Sequence, residues 1–398
     1  MSVRVYKFGG ASLADIDKLK AVAAFLKKEK EKYPEPILAV VSAMGKTTDE
    51  LIALAKKVSP SPHRRELDML LTVGERTSMS LMSLALQSLG VNAISFTGSQ
   101  AGIITDSAHG NARILEARPF RIAEHLKNGD TVILAGFQGV SQVTKDITTL
   151  GRGGTDTTAV VMASHFKSPV CEFKKDVGGI FSADPKVVAN AKHLPQLSFK
   201  HILDMTFWGA KFLHYRAAEL ALVLQLPLRF SHFEDAGAKP GGQHTDQYTD
   251  QNTLVSGDSM LELQKILSVN SHKDVYEWTF ENKDVSQALH WLHEQTKKRS
   301  LPEPQILSAS LQQSSTQLLF VGEVGEMAKD FGFSGSIKKL STVTLTCQGA
   351  VNSELLYKSL KAISPIAPLK TLQDTTNITF VVDTNHREEC IQSLHQLI

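Results

Sequence analysis

Through the first 235 residues, short apolar runs alternate with amphipathic stretches of helical period, and this alternation constrains the fold more than any other feature. Val3 to Phe8 reads as a strand, Gly9-Gly10 as a break and Leu13 to Glu31 as a helix. Ile37 to Ser42 is a second strand, followed by a helix from Thr48 to Val58. Further strands are expected at Ala93 to Thr97, Thr131 to Ala135, Val170 to Phe173 and Leu228 to Ser231. Helices are expected at Ser78 to Ser88, Pro119 to Lys127 and Thr157 to His165. Strand and helix in succession build a largely parallel sheet covered by helices. In such α/β sheets ligands lie beyond the carboxyl ends of the strands, so the loops that follow strands carry the candidate chemistry.

The pattern changes near residue 235. Glu234 to Asp258 is rich in Gly, Asp, Gln and Thr and reads as a linker or exposed loop. Beyond it come a strand (Lys265 to Asn270), a helix (Ser286 to Lys298) and two strands (Gln305 to Leu311, Thr316 to Glu323). A similar series follows: Thr342 to Gln348, a helix Ser353 to Ile363, Leu369 to Gln373, Ile378 to Asp383, and a helix from Arg387. These are two copies of a small α+β unit. The expected organisation is a first domain over 1–235, a linker over 236–260, and small domains over 261–335 and 336–398.

A chain of 398 residues exceeds one ordinary core, and 42% hydrophobic with 21% charged residues is the balance of a globular protein. Basic and acidic residues, 43 and 41, are interspersed; without a basic stripe, neither nucleic acid nor an anionic membrane is expected as a partner. Cys171, Cys347 and Cys390 are far apart and form no CxxC pair, which suits a reducing compartment. The N-terminal MSVRVYKFGG carries no signal-peptide core, and no run of about 18 apolar residues exists to span a bilayer. A soluble, cytoplasmic protein is expected.

Several segments offer chemistry. Lys7-Phe8-Gly9-Gly10-Ala11-Ser12 joins a strand end to a helix start. Its glycines and Lys7 suit a phosphate cradle, or equally a tight turn with a solvated lysine. Gly45-Lys46-Thr47-Thr48 invites a P-loop reading, but position 40 is Val40 where that motif needs glycine. What remains is a loop offering Ser42, Thr47 and backbone donors, or a simple helix cap. Leu150-Gly151-Arg152-Gly153-Gly154-Thr155-Asp156 is the most informative: glycines let backbone press on a ligand, and Arg152 can grip a carboxylate through two parallel hydrogen bonds. Asp156 alone could be a helix cap, but a cap does not need three glycines. Glu75, at the head of a helix, could bind an amino group or merely pair with Arg76 or the helix dipole. Lys175 to Lys186 is a turn-rich loop after a strand, able to wrap a nucleotide or simply connect; Lys211 is a lysine near a helix end. The fourteen histidines show no metal-binding spacing.

In order along the chain, KFGGAS, VSAMGKTTDEL, LTVGERTS, HGNARI, AGFQGV, TLGRGGTDTTAV, DVGGIFSADPKVV and GAKFLHYRA resemble the aspartate kinases, within the amino-acid kinase family with C-terminal ACT domains. The resemblance implies a three-layer αβα sandwich with a largely parallel sheet, followed by two small α+β ACT-like domains. It implies transfer of phosphate from ATP to L-aspartate, giving 4-phospho-L-aspartate, the first step towards lysine, threonine and methionine. It assigns Lys7 and Asp156 to catalysis. Thr47, Glu75, Arg152, Gly153, Gly154 and Thr155 are assigned to aspartate, with Arg152 on its α-carboxylate and Glu75 on its ammonium. Lys7, Gly9, Gly10, Ser12, Lys175, Asp176, Phe181, Ser182, Asp184, Lys186 and Lys211 are assigned to the nucleotide. Mg²⁺ is expected to be held mainly by ATP phosphates and water, with no protein-built metal site. A lysine or threonine effector and a homodimer through the ACT domains are further implications. An aspartate carboxylate, with a reference pKa of about 4, is already ionised at neutral pH. No general base is then required, and Asp156 is left to orient Lys7 or a magnesium water. Ala11, Thr155, Lys175, Gly178, Phe181 and Lys186 depart from the residues common in that family, most of them in the nucleotide loop.

Two rival readings keep the same fold. One is another amino-acid kinase, acting on acetylglutamate, glutamate or a nucleotide; acetylglutamate has no free amine, so Glu75 would lose its purpose there. A non-catalytic ligand sensor would have no use for Lys7 and Asp156. A dinucleotide dehydrogenase lacks its GxGxxG.

Overall fold

The computed structural model describes residues 2–175, 178–232, 251–257, 265–298, 303–330 and 335–398. It divides into two compact units. The first takes the described parts of Met1–Ile180, Pro195–Phe199 and Leu213–Asp258; the second takes those of Phe181–Leu194, Lys200–Phe212 and Ser259–Ile398.

The first unit is built on an eight-stranded sheet. Its spatial order is Gln196–Ser198, Asn252–Ser256, Leu228–His232, Cys171–Lys175, Arg4–Phe8, Ile37–Val41, Thr131–Ala135 and Ala93–Phe96. All neighbours pair in parallel except Asn252–Ser256 against Leu228–His232. The central strands are continuous apolar runs, ILAVV and TVILA, buried at every position, because helices cover both faces of the sheet. On one face Tyr6, Phe8, Ala39, Val41, Ile133 and Ala135 pack with Leu19, Val22 and Leu26 of the helix Ile16–Lys32 and with Met82 and Leu86 of the helix Arg64–Ser88. Asp15 caps the first of these helices, accepting from the N–H of Lys18 at 2.8 Å. The helix Gly154–His165 lies against the Arg4–Phe8 strand and against the helix Tyr215–Val223. It is almost wholly buried, as its run of small and apolar residues requires. This is the three-layer αβα sandwich expected from the sequence.

Three expectations are corrected. The helix read as Ser78 to Ser88 begins at Arg64 and runs 25 residues, so Glu75 lies mid-helix and not at its head. Its buried face carries Asp68, Thr72, Gly74, Glu75 and Ser78, and these polar residues hide the apolar period. Asn252–Ser256, assigned to the linker, is a strand of the large sheet, since Thr253 and Val255 are buried. A four-stranded sheet, Ile114–Ala117, Ile103–Thr105, Gln138–Ser141 and Ile147–Thr149, was not anticipated, because its strands are three or four residues long. Most of the expected linker, residues 236–250 and 258–260, lies outside the described residues.

The second unit holds one six-stranded antiparallel sheet, ordered Gln305–Leu311, Ser315–Val321, Lys265–Glu281, Ser336–Gln348, Asn377–Val382, Lys370–Gln373. The two repeat copies meet along the long central pair, Lys265–Glu281 against Ser336–Gln348, whose register shifts twice. They form one continuous sheet. The segment 181–194 also belongs to this unit. Ser182 O accepts from Val269 N–H at 2.7 Å, and Lys192 Nζ donates to Ile398 O at 2.6 Å. Among the described residues, no helix is long and apolar enough to cross a membrane.

Candidate active site

Strand periodicity sets the site. Tyr6 and Phe8 face the core beneath the first helix, so Lys7 between them faces the opposite layer. There its ammonium lies 2.7 Å from Oδ1 of Asp156, and the two side chains are 9% and 12% exposed. Oδ2 of Asp156 accepts from the N–H of His214 at 3.3 Å. Burial works to raise the Asp156 pKa, yet the charges of Lys7 and Lys175 and these hydrogen bonds outweigh it and hold it below the ordinary value. Asp156 lies inside the helix, not at its cap; the cap position is Gly153, left-handed at φ 71°.

Gly9 and Gly10 follow Lys7 at the strand's carboxyl end. A Cβ on Gly9 would come within 3.5 Å of the Lys7 ammonium; one on Gly10 would lie 2.9 Å from Ala43 O. Gly10 O accepts from the N–H of Gly45, which ties the glycine turn to the loop after the second strand. Ser12 is buried in a single 3₁₀ turn, Gly10–Leu13. Thr47 opens the next helix, Thr47–Val58, and its hydroxyl donates to Met44 O at 2.7 Å.

Glu75 enters from the middle of its helix, 3% exposed. Its Oε1 accepts from the N–H of Ala43 at 3.0 Å, while its buried Oε2 has no hydrogen-bond partner. Burial pushes its pKa up to about 7, against the lowering effect of the backbone hydrogen bonds. The neighbouring Gly74 lies against Ala43 and the Thr47 methyl, so Thr47 and Glu75 share one corner of the site.

The glycine-rich turn completes it. A Cβ on Gly153 would lie 2.1 Å from that of His214, and one on Gly136 would lie 2.5 Å from the Thr155 methyl. Thr155 and Asp156 are buried and Arg152 is exposed. Phe137, at φ 67°, holds a left-handed backbone rare for an aromatic residue, and its ring lies against Gly154.

Lys7, Gly9, Gly10, Thr47, Glu75, Gly153, Gly154, Thr155, Asp156 and Lys175 thus gather where the central strands end, at Phe8, Val41, Ala135 and Lys175. Phe181, Ser182, Asp184, Lys186 and Lys211 fall in the second unit, and Asp176 lies outside the described residues. Asp184 and Lys186 form an exposed turn in which Asp184 Oδ1 accepts from the N–H of Lys186 at 3.0 Å. Phe181 is buried, with its ring beside His193, and Lys211 is exposed. The Ser182 hydroxyl is fully buried between His395 Nε2 and the N–H of Lys192, both at 2.8 Å. Sequence reasoning missed Asp68, His109, Phe137 and Arg216. HGNARI and AGFQGV, each a polar or glycine-bearing loop between short strands, were the signals available for two of them.

A buried lysine–aspartate pair thus lies at a glycine-lined strand end of a helix-covered, largely parallel sheet. The chain belongs to the amino acid kinase family, whose model matches residues 2–229. Within that family it is similar to the aspartokinase of Mycolicibacterium smegmatis, with 50% identity over 242 residues, 61% of this chain and 56% of that protein. The chain therefore matches only about half the length of such relatives. Its fold is that of E. coli aspartokinase III solved with aspartate and ADP, at TM-score 0.79 and 20% identity over 100% of both chains. The same enzyme solved with lysine and aspartate matches at TM-score 0.70 and 20% identity, over 99% of each chain.

Proposed function

We propose that this chain transfers the γ-phosphoryl group of ATP to the side-chain carboxylate of L-aspartate. The observation that carries the reading is Glu75: a buried carboxylate with one oxygen unpartnered suits an ammonium, which aspartate has and acetylglutamate lacks. The aspartokinase names of relatives near 50% identity support it.

In this reading Arg152 takes the α-carboxylate, Thr47 lies at the reacting end, and Gly153 to Thr155 present backbone to the substrate. Gly9, Gly10 and Ser12 line the phosphates, and Lys7 bridges the transferring group. Lys175, Asp176, Phe181, Asp184, Lys186 and Lys211 serve the nucleotide. The acceptor is already ionised, so catalysis consists of bringing two anions into line and offsetting their repulsion. Asp156 keeps Lys7 oriented through their 2.7 Å contact; it is not needed as a base. Its Oδ1 lies against the Lys7 ammonium and its Oδ2 accepts from the His214 N–H. Mg²⁺ would be held mainly by the nucleotide's phosphates and would supply charge neutralisation there. The second unit is read as a pair of ACT-like modules that sense lysine or threonine and join two copies of the chain.

The test is ADP release with MgATP and aspartate, glutamate or acetylglutamate, repeated with Lys7→Ala. Aspartate-dependent turnover lost in the variant is the expected result. Preference for another acceptor, or no turnover from folded protein, overturns the reading.

A further inference from the structure

We infer that Asp68 and Arg216 are positioning residues that fix the turn presenting Arg152. The inference rests on the acceptor reading above and concerns how that site is held.

Arg152 is an exposed side chain on a turn whose two flanking glycines are left-handed, Gly151 at φ 74° and Gly153 at φ 71°. Such a turn has little rigidity of its own. Its position comes from two charged groups on separate helices. Arg216, near the start of the helix Tyr215–Val223, donates from Nη1 to Leu150 O at 2.6 Å and to Asn111 Oδ1 at 3.0 Å, and from Nη2 to Ala112 O at 2.9 Å. Asp68, 1% exposed, accepts from the N–H of Gly110 at 3.1 and 3.2 Å, from the Thr149 hydroxyl, and pairs with His109 Nδ1 at 2.7 Å. The N–H of Ala112 also donates to Thr149 O. The loop 109–112 and the segment Thr149–Leu150 are therefore clamped from both sides, one by a cation and one by an anion.

The clamp reaches the turn directly. A Cβ on Gly151 would meet Gly110 O at 2.9 Å and Asn111 Oδ1 at 3.1 Å, so the turn rests on the clamped loop. His214, two residues before Arg216, supports the other side: its ring fills the space beside Gly153 and its N–H holds Asp156. Asp68 also lies seven residues, two helical turns, before Glu75 on the buried face of one helix. That helix thereby sets both the ammonium-binding and the carboxylate-binding ends.

Arg152 contacts the acceptor equally before and during transfer, so its displacement weakens binding and not the chemical step. Arg216→Met is expected to raise the acceptor KM by roughly tenfold or more, with kcat and the ATP KM nearly unchanged. Arg216→Lys, which keeps the charge and some donors, recovers part of the loss. Asp68→Asn, isosteric with the native side chain, changes the acceptor KM in the same direction and covers the case in which Arg216→Met fails to fold. An unchanged acceptor KM in folded variants, or equal losses in both KM values and kcat, overturns the inference. If the wild-type protein turns over no acceptor, the functional proposal falls on its own. Amide hydrogen exchange then decides: faster exchange of residues 109–112 and 150–154 alone in Arg216→Met supports the clamp, and unchanged exchange there removes it.

Discussion

The ammonium of Lys7 lies 2.7 Å from Oδ1 of Asp156, joining the central strand of the large sheet to the first turn of the helix packed on it. The pair is nearly sealed from water, so neither charge can be removed without leaving the other exposed to a low-dielectric surrounding. Lys7→Met is expected to abolish most turnover, by roughly 10²- to 10³-fold. It also destabilises the first unit by about 3 kcal/mol, the cost of an unpaired buried charge. Urea unfolding and steady-state rates check the two effects separately. The folded Asp156 pKa is depressed, so its stabilisation is present above about pH 4 and is lost as pH falls through the folded value. That acid-side loss should be smaller in Lys7→Met.

Glu75 titrates in the opposite sense. Its pKa rises from 4.5 unfolded to about 7 folded, so its contribution is complete below the unfolded value and declines as pH rises through 7, by about 3 kcal/mol in all. Glu75→Gln should remove that decline and leave a protein more stable than the native one at pH 8. An ammonium needs the ionised form, so kcat/KM for aspartate should fall about tenfold per pH unit below 7. A native profile that stays flat through pH 7 would count against Glu75 as the ammonium partner.

Gly153→Ala tests the backbone of the turn. A left-handed conformation costs a non-glycine residue about 1–2 kcal/mol, and here the added methyl also runs into His214. The expected result is a lower melting temperature together with a raised acceptor KM. A fully native variant would show that the turn has room to adjust.

Arg152 is the carboxylate clamp in the proposed reading. The α-amide of aspartate should be a poor acceptor for the native enzyme, by roughly 10²-fold, because it cannot form the charged bidentate pair. Arg152→Ala should bring acid and amide to similar low efficiency. Retained preference for the acid would move the clamp to another residue.

In the second unit, Ser182 and His395 hold the segment 181–194 to the last helix, Arg387–His395. Burial, helped by Lys192, pushes the His395 pKa below its usual value. Its stabilisation is therefore present above the unfolded value of about 6.5 and lost as pH falls. Protection of the final helix against hydrogen exchange, relative to the intrinsic rate at each pH, should fall between pH 7 and pH 5, and Ser182→Ala should lower it at every pH.

The strands that end in the site were legible because a strand buried on both faces must be apolar throughout, as ILAVV and TVILA are. Gly9, Gly10 and the Gly151–Gly154 run were legible because close backbone approach excludes a side chain. The long helix Arg64–Ser88 was half hidden, since the face it buries carries Asp68, Thr72 and Glu75. The short strands Ile103–Thr105 and Ile147–Thr149 gave too few residues to establish any period.

By itself, the sequence determined the layers, the order of the loops and the residue types at the site, because those follow from local periodicity and glycine placement. Only the tertiary structure decided the partners. Lys7 meets Asp156 across 149 positions of sequence, Glu75 is left with one bare oxygen, and Arg216 reaches back to Asn111 and Leu150. Charge and hydrogen bonding act through space, and no local pattern states which distant group will fill it.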